Sequence, residues 1–329
     1  MTDPIPIHPF VVVREAGAGL DRLIRPVVAI GNFDGVHRGH REVLSKATER
    51  ARAANRPAAV LTFDPHPRSF FQPDLPSFQL TSEAAKLRLL AATGLDGAIV
   101  LTFDAALAGL SAEEFVERIL VERLAVTGAV IGFNFHFGKH RRGTPEFLTA
   151  QGAHHGFTVD VVEPFHHSGR RVSSGAVRDA LAAGHVEEAN ELLGYPWFVT
   201  AQVVHGDKRG RELGYPTANL RLGPDCGLKH GIYAVRVGLG EARYDGVASF
   251  GRRPMFDTGA VLLEVFLFDF SGDLYGAALD VAFIAWIRPE LNFDSVEDLI
   301  RRMDDDSRLA RRALRQAPDA FPALGVPEF

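Results

Sequence analysis

Four short apolar runs constrain the first half of this chain more than anything else in it. They are VVAI at 27–30, AAVL at 58–61, GAIVL at 97–101 and AVI at 129–131. None alternates apolar with polar residues. A strand with one wet face alternates; a run that does not is a strand covered on both faces, as in parallel sheets. Helical patterns fill the gaps, at 40–53 with Val43, Leu44 and Ala47 on one face, at 82–92 with Leu87, Leu89 and Leu90, and at 111–124. The last opens on Ser111 with Glu114 three residues on, which predicts a capping box. Strand–helix repetition predicts an α/β domain, a parallel sheet with flanking helices. Each run ends in a polar loop: GNFDG, TFDPHPRSFF, TFDAALAG and GFNFHFGKHRRG. In such sheets the ligand lies beyond the carboxyl ends of the strands.

The texture changes near residue 190. A helical stretch, VRDALAAGHVEEANELLG, ends at Tyr195-Pro196. Runs of strand length follow at 197–204, 231–237, 244–248, 262–268 and 279–286, rich in β-branched and aromatic residues, with Gly-rich turns and no convincing helix between them. They predict an antiparallel β-barrel or sandwich. A helix at 295–315, with Val296, Leu299, Ile300 and Met303 at helical spacing, closes the chain. The expected domains are 1-186 and 187-329, which a length of 329 residues accommodates. A net charge of -5 argues against nonspecific nucleic-acid binding. The single cysteine, Cys226, suits a reducing compartment. There is no apolar run of membrane-spanning length, and the start MTDPIPIHPF does not read as a signal peptide. The expectation is a cytoplasmic protein acting on small molecules, with no membrane or nucleic-acid partner. Its oligomeric state is not legible.

The chemistry concentrates in a few stretches. In GNFDGVHRGH, residues 31–40, His37 and His40 flank Gly39 where a buried strand gives way to a helix. Free N–H groups at a helix start attract phosphate, and two imidazoles there can stabilise phosphoryl oxygens as charge develops. Gly39 would let the backbone approach a ligand closely. VSSGAVR places Ser173 and Ser174 at a helix start, with Arg178 one turn on; a plain N-cap is the alternative. No Gly-x4-Gly-Lys-Ser/Thr sequence occurs, so any kinase here is not of the P-loop kind. Gly206, Gly210 and Gly214 instead punctuate a loop with Lys208, Arg209 and Arg211. Glu264 lies in VLLEVFLFDF, a carboxylate among Leu262, Leu263, Val265 and Phe266 that must be paired, used or turned outward on an edge strand. His66 reads as a pocket or turn residue, and Lys139, Arg141 and Arg142 as triphosphate ligands or a solvated charge run. The pairs His154-His155 and His166-His167 lack ligand spacing and read as solvated loops rather than zinc sites.

GNFDGVHRGH, TFDPHP, GFNFHFG and VSSGAVR, followed in order by GDKRGRELGYPTANL, GIYAVRV, GVASFGRRPMF and LLEVFLFDF, resemble the bacterial bifunctional riboflavin kinase/FMN adenylyltransferase (FAD synthetase) family over nearly the whole chain. The resemblance implies a Rossmann-like nucleotidyltransferase domain followed by a riboflavin kinase barrel. The second module would phosphorylate riboflavin to FMN with ATP, and the first would adenylylate FMN with ATP to FAD, releasing pyrophosphate. It implies that His37 and His40 stabilise phosphate, with Gly31, Asn32, Phe33, Asp34, Gly39, Asn134, Ser173, Ser174 and Arg178 around the nucleotide. Phe70, Phe71, Phe137, Arg288 and Glu290 become flavin-side candidates; Gly206, Lys208, Gly210, Arg211 and Gly214 face the kinase ATP. Thr217 and Asn219 inherit a Mg²⁺ site, and Glu264 the role of general base. Gly175, Ser249, Met255 and Phe266 depart from the family pattern. A kinase with an inactive adenylyltransferase module, and a flavin-binding regulator without turnover, are the alternatives.

Overall fold

The computed structural model describes residues 9–15, 19–75, 78–205, 214–252 and 261–329. The chain divides into two compact units, Met1–Ser77 with Ser82–Val172 and Ala323–Phe329, and Phe78–Thr81 with Ser173–Pro322.

The first unit is built on a parallel sheet, with seven strands among the described residues. In chain order these are β1 (Phe10–Arg14), β2 (Val27–Ile30), β3 (Ala58–Asp64), β4 (Gly97–Thr102), β5 (Gly128–Gly132), β6 (Thr158–Val162) and, from the chain's end, β15 (Pro327–Glu328). Their order across the sheet is β15-β1-β4-β3-β2-β5-β6. The four apolar runs are the central strands. Every residue of β2 is buried, as are the first six of β3, so alternation has no reason to appear. From β2 the chain steps one way to β3 and β4 and the other way to β5 and β6, which makes the β2/β5 edge the topological switch point.

The helices are α1 (Arg38–Ala54), α2 (Pro67–Phe71), α3 (Glu83–Ala91), α4 (Ala105–Gly109), α5 (Ala112–Glu114, continued as a π-helix over Phe115–Arg123) and α6 (Pro145–His155). The predicted capping box is present: Glu114 N–H donates to Ser111 Oγ at 3.1 Å and Ser111 N–H to Glu114 Oε2 at 2.9 Å. β1 and β6 went unread, being short and flanked by polar residues, as did α2, α4 and α6. A small hairpin, β7 (His166–His167) with β8 (Arg170–Arg171), holds one of the histidine pairs. No cluster of three or more His, Cys, Asp or Glu placed to hold a metal occurs among the described residues.

The second unit opens with α7 (Ser174–Ala183) and α8 (Val186–Leu193). Asn190 of α8 donates to Phe283 O at 2.9 Å and accepts from Trp197 N–H at 2.7 Å, fixing the entry into the first barrel strand. The strands are β9 (Phe198–Val204), β10 (Ala218–Leu222), β11 (Gly231–Leu239), β12 (Ala242–Arg252), β13 (Val261–Leu267) and β14 (Ala278–Arg288). They close into an antiparallel barrel in the order β10-β13-β12-β11-β14-β9. Trp197, Tyr233, Phe250, Leu263, Val265 and Phe283 fill its interior. The last helix, α9 (Val296–Gln316), is capped by Ser295 Oγ on Asp298 N–H at 3.1 Å and packs on β11, β12 and β14.

The sequence places α9 correctly but not its buried face. Val296 is 53% exposed, and the buried residues are Asp306, Ala310 and Leu314. The apolar phase shifts along the helix because a charged residue, Asp306, has an interior partner. Arg288 Nε donates to Asp306 Oδ1 at 2.8 Å and Nη2 to Oδ2, a bidentate pair shut away from water.

Candidate functional site

The loop after β2 is tightly wound. Phe33, Gly35 and Val36 have φ of 51°, 80° and 37°, so two bulky residues sit in the left-handed region, where strain costs about 1–3 kcal/mol each. Burial holds them there: Phe33 and Val36 are 1% and 0% exposed. The turn delivers His37 as the N-cap of α1, its Nδ1 accepting the His40 backbone N–H at 3.1 Å. The ring's own N–H is therefore at Nε2. The rings of His37 and His40 lie parallel, centroids 3.6 Å apart and 12° between planes, with Phe33 edge-on to His40 at 5.2 Å. A Cβ at position 39 would meet His37 Cε1 at 3.3 Å. The glycine makes room for the imidazole to fold back over the start of the helix.

His40 Nδ1 is buried without a hydrogen-bond partner. Burial, then the charges of His37 and Lys86, push the His40 imidazole well below its ordinary value of 6.5. The ring is neutral at neutral pH, and an orphaned nitrogen at the switch point is what an incoming ligand would satisfy. The loop after β5 faces the same crevice in the sheet. There Asn134 is exposed, and its carbonyl oxygen lies 3.0 Å from His136 Nδ1.

At the ends of β3 and β4, Phe70 and Phe71 form an edge-to-face cluster with Phe103, centroids 5.3–5.7 Å apart. Phe71 is 64% exposed. Phe103 lies in the TFDAALAG loop, which contributed no candidate residue from the sequence. Phe137 is not with them; it is buried against Phe115, Phe135 and Phe147 in the core. His66 caps α2 through Arg68 N–H at 3.1 Å. Lys139, Arg141 and Arg142 are exposed.

Ser173, Ser174 and Arg178 belong to the second unit. Ser173 Oγ caps α7 by accepting Ala176 N–H at 3.2 Å, and Arg178 Nε donates to Phe78 O at 2.6 Å. Gly175 is exposed, and a Cβ there would meet only Ser173 Oγ at 3.7 Å.

On the barrel, Glu264 is not on an edge: β13 pairs with β10 on one side and β12 on the other. The strand alternates strictly. Val261, Leu263, Val265 and Leu267 point inward, and Leu262, Glu264 and Phe266 point out, half-buried. Glu264 stands directly opposite Asn219 of β10 and Ser249 of β12. Asn219 is buried, and its Nδ2 donates to Thr217 O at 3.3 Å, leaving Oδ1 as its acceptor. Tyr215 leads into this turn. Its ring packs on Phe266 at 4.9 Å and its hydroxyl donates to Asp304 of α9. Burial, with the Asp304 bond, raises its phenol to about 12. Gly214 has φ +83°. Gly206, Lys208, Arg209, Gly210, Arg211 and Met255 lie outside the described residues. Arg288 is committed to Asp306 and to Pro289 O at 2.8 Å, a structural post rather than an open flavin contact. Glu290 is exposed, with His230 Nδ1 3.8 Å away.

Residues 21–176 match the family model described as FAD synthetase, and residues 193–314 the one described as riboflavin kinase. The bifunctional riboflavin kinase/FMN adenylyltransferase of Pseudomonas fluorescens is 42% identical over 87% of this chain and 92% of that protein. The same-named protein of Bacillus subtilis is 35% identical over 93% of this chain and 96% of its own length. The chain belongs to the bifunctional riboflavin kinase/FMN adenylyltransferase family. It makes FMN from riboflavin and FAD from FMN, with ATP as the second substrate of each step. A crystal structure described as a macrolide-efflux protein from Streptococcus pneumoniae is also similar, with TM-score 0.81 and 32% identity over 92% of this chain and 99% of that one. No helix among the described residues is long and apolar enough to cross a membrane.

Within this family member, three sets of bonded polar groups escaped the sequence reading: Lys86, Asp306 and the Tyr215–Asp304 pair. The first two carried a signal. Lys86 stands at helical spacing from Leu89 and Leu90, and Asp306 from Ala310 and Leu314, so each is a charge in an apolar phase.

Proposed function

We propose that FMN adenylylation is carried by the loops after β2 and β5, with His37 and His40 as the phosphate-stabilising pair. The observation that supports this most directly is the stacked pair at the switch point with its orphaned Nδ1. An FMN phosphate oxygen attacks the α-phosphorus of ATP, and the bond to the bridging oxygen breaks to release pyrophosphate. No protein nucleophile is required; the imidazole N–H groups stabilise the charge that develops. Gly31, Asn32, Phe33, Asp34 and Asn134 line the nucleotide side, and Phe70 and Phe71, joined by Phe103, offer the flavin an aromatic face.

Riboflavin phosphorylation belongs to the outer face of the barrel at Glu264. Its carboxylate takes the proton of the riboflavin 5′-hydroxyl as that oxygen attacks the γ-phosphorus and ADP leaves. Asn219 stands opposite that carboxylate and Thr217 lies two residues before Asn219 in the chain; their amide and hydroxyl oxygens are a hard donor set that fits Mg²⁺. These residues would hold the ion, which when bound neutralises phosphate charge. The activities divide between 1-186 and 187-329, a division falling between the two matched segments. The lone cysteine suits the cytoplasm.

A chromatographic time course with riboflavin, ATP and Mg²⁺ tests both assignments. The parent protein yields FMN first and then FAD. His40→Ala should stop at FMN, with adenylylation down by about 10²-fold or more. Glu264→Gln should make no FMN from riboflavin yet convert supplied FMN to FAD. A His40→Ala protein with parental FAD output would refute the first assignment; a Glu264→Gln protein with parental kinase rate would refute the second.

A further inference from the structure

Lys86 is 7% exposed, on a helix whose neighbouring residues Leu87, Leu89 and Leu90 are core. Lysine is almost never buried without partners. Here the ammonium has three acceptors for its three protons: Thr62 Oγ1 at 3.2 Å, Asn32 O at 3.5 Å and Phe63 O at 3.5 Å. Thr62 Oγ1 in turn donates to Asn32 O at 3.3 Å. The lysine thus ties the ends of β2 and β3 together directly beneath the strained turn that presents His37. Burial lowers the ammonium from its ordinary value of 10.5; Asp34 from that turn, Asp64 from β3 and Glu83 from its own helix oppose the shift, and Arg14 from β1 adds to it. The lysine's charge reaches His40 as well, disfavouring a second cation there.

We propose that Lys86 is a positioning residue for adenylyl transfer, fixing the Asn32 turn and setting a positive charge behind His40. The inference rests on the assignment of His37 and His40 as the phosphate-stabilising pair. A fixed cation in a dry site favours the polyphosphate and the negative charge that accumulates as pyrophosphate departs, with no reorganisation at the moment of reaction. It also keeps His40 a neutral donor until the anion arrives. Because the ammonium's protons are all directed at protein acceptors, it acts through the turn and the field rather than by touching substrate.

Two variants separate charge from shape. Lys86→Met keeps length and removes the charge; Lys86→Arg keeps the charge in a bulkier group. The expected result for Lys86→Met is a fall of about 10-fold or more in kcat for FMN adenylylation, with KM for ATP changed less and riboflavin kinase activity of the same preparation unaltered. The His40 ring signal, assigned by its absence in His40→Ala, should titrate at higher pH than in the parent. Lys86→Arg should keep most of the adenylylation rate. Parental adenylylation in Lys86→Met, or an unmoved His40 titration, overturns the proposal. So does a Lys86→Arg protein that loses adenylylation, which decides the matter if Lys86→Met does not fold. The control separates the two claims: if His40→Ala itself adenylylates normally, the site assignment has failed; if His40→Ala is inactive and Lys86→Met is not, only the role of Lys86 has.

Discussion

Protonating an imidazole that is enclosed beside a lysine is unfavourable, and His40 is in that position. Its folded-state value is depressed below 6.5, so the unfolded chain binds the proton more readily. Where the unfolded state binds more protons, stability rises with pH. The contribution from His40 is therefore complete above about pH 6.5 and is lost as the pH falls from there through the folded-state value. Urea midpoints of the parent and of His40→Gln between pH 5 and 8 check the sign: the parent should lose stability faster on acidification. Gly175 is a second residue-scale case. With only Ser173 Oγ at 3.7 Å from a Cβ, nothing in the structure demands glycine there. Gly175→Thr should fold with a stability change within about 0.5 kcal/mol, as surface substitutions do, and its FAD yield then reports whether a hydroxyl at that position matters.

At the scale of elements, α9 is held to the barrel by the Arg288–Asp306 pair as much as by Ala310 and Leu314. Removing one partner strands the other charge in the interior. Asp306→Ala should cost about 3–5 kcal/mol in barrel stability, read by urea unfolding of the full chain, while the double change Arg288→Met with Asp306→Leu should cost much less. The same helix carries Asp304, which takes the Tyr215 hydroxyl, so weakening α9 should also lower kinase turnover. The row Asn219, Glu264, Ser249 is likewise a property of elements. Each residue belongs to a different strand, and only the antiparallel register puts them side by side.

For the whole molecule, the first unit takes its outermost strand from the end of the chain. β15 lies beyond both matched segments yet pairs with β1, Phe10 opposite Pro327 and Val11 opposite Glu328. Gly325 N–H donates to Arg88 O at 2.8 Å, and Glu328 pairs with Arg22 at 3.2 Å. Deleting residues 323–329 should therefore lower the thermal midpoint of adenylylation while the kinase midpoint stays in place. The loss is expected to be about 1–3 kcal/mol, from a few hydrogen bonds of about 1 kcal/mol each. Activity assayed after timed heating measures both midpoints on one sample.

The sequence alone determined the two architectures, the four central strands and the stretches that carry the chemistry. Buried parallel strands, amphipathic helices and a barrel's β-rich runs write their environment into local composition, and phosphate-handling motifs are contiguous. What tertiary structure decided is whatever depends on residues far apart in the chain. Phe137 went to the core and Phe103 to the strand-end cluster, because neighbouring strands rather than neighbouring residues surround them. Glu264 became a central-strand carboxylate facing Asn219, because barrel closure leaves no edge. Arg288 was drawn inside by Asp306, and Lys86 beneath the β2 turn by three acceptors. A buried charge is tolerable only where its partners converge, and that convergence comes from the fold.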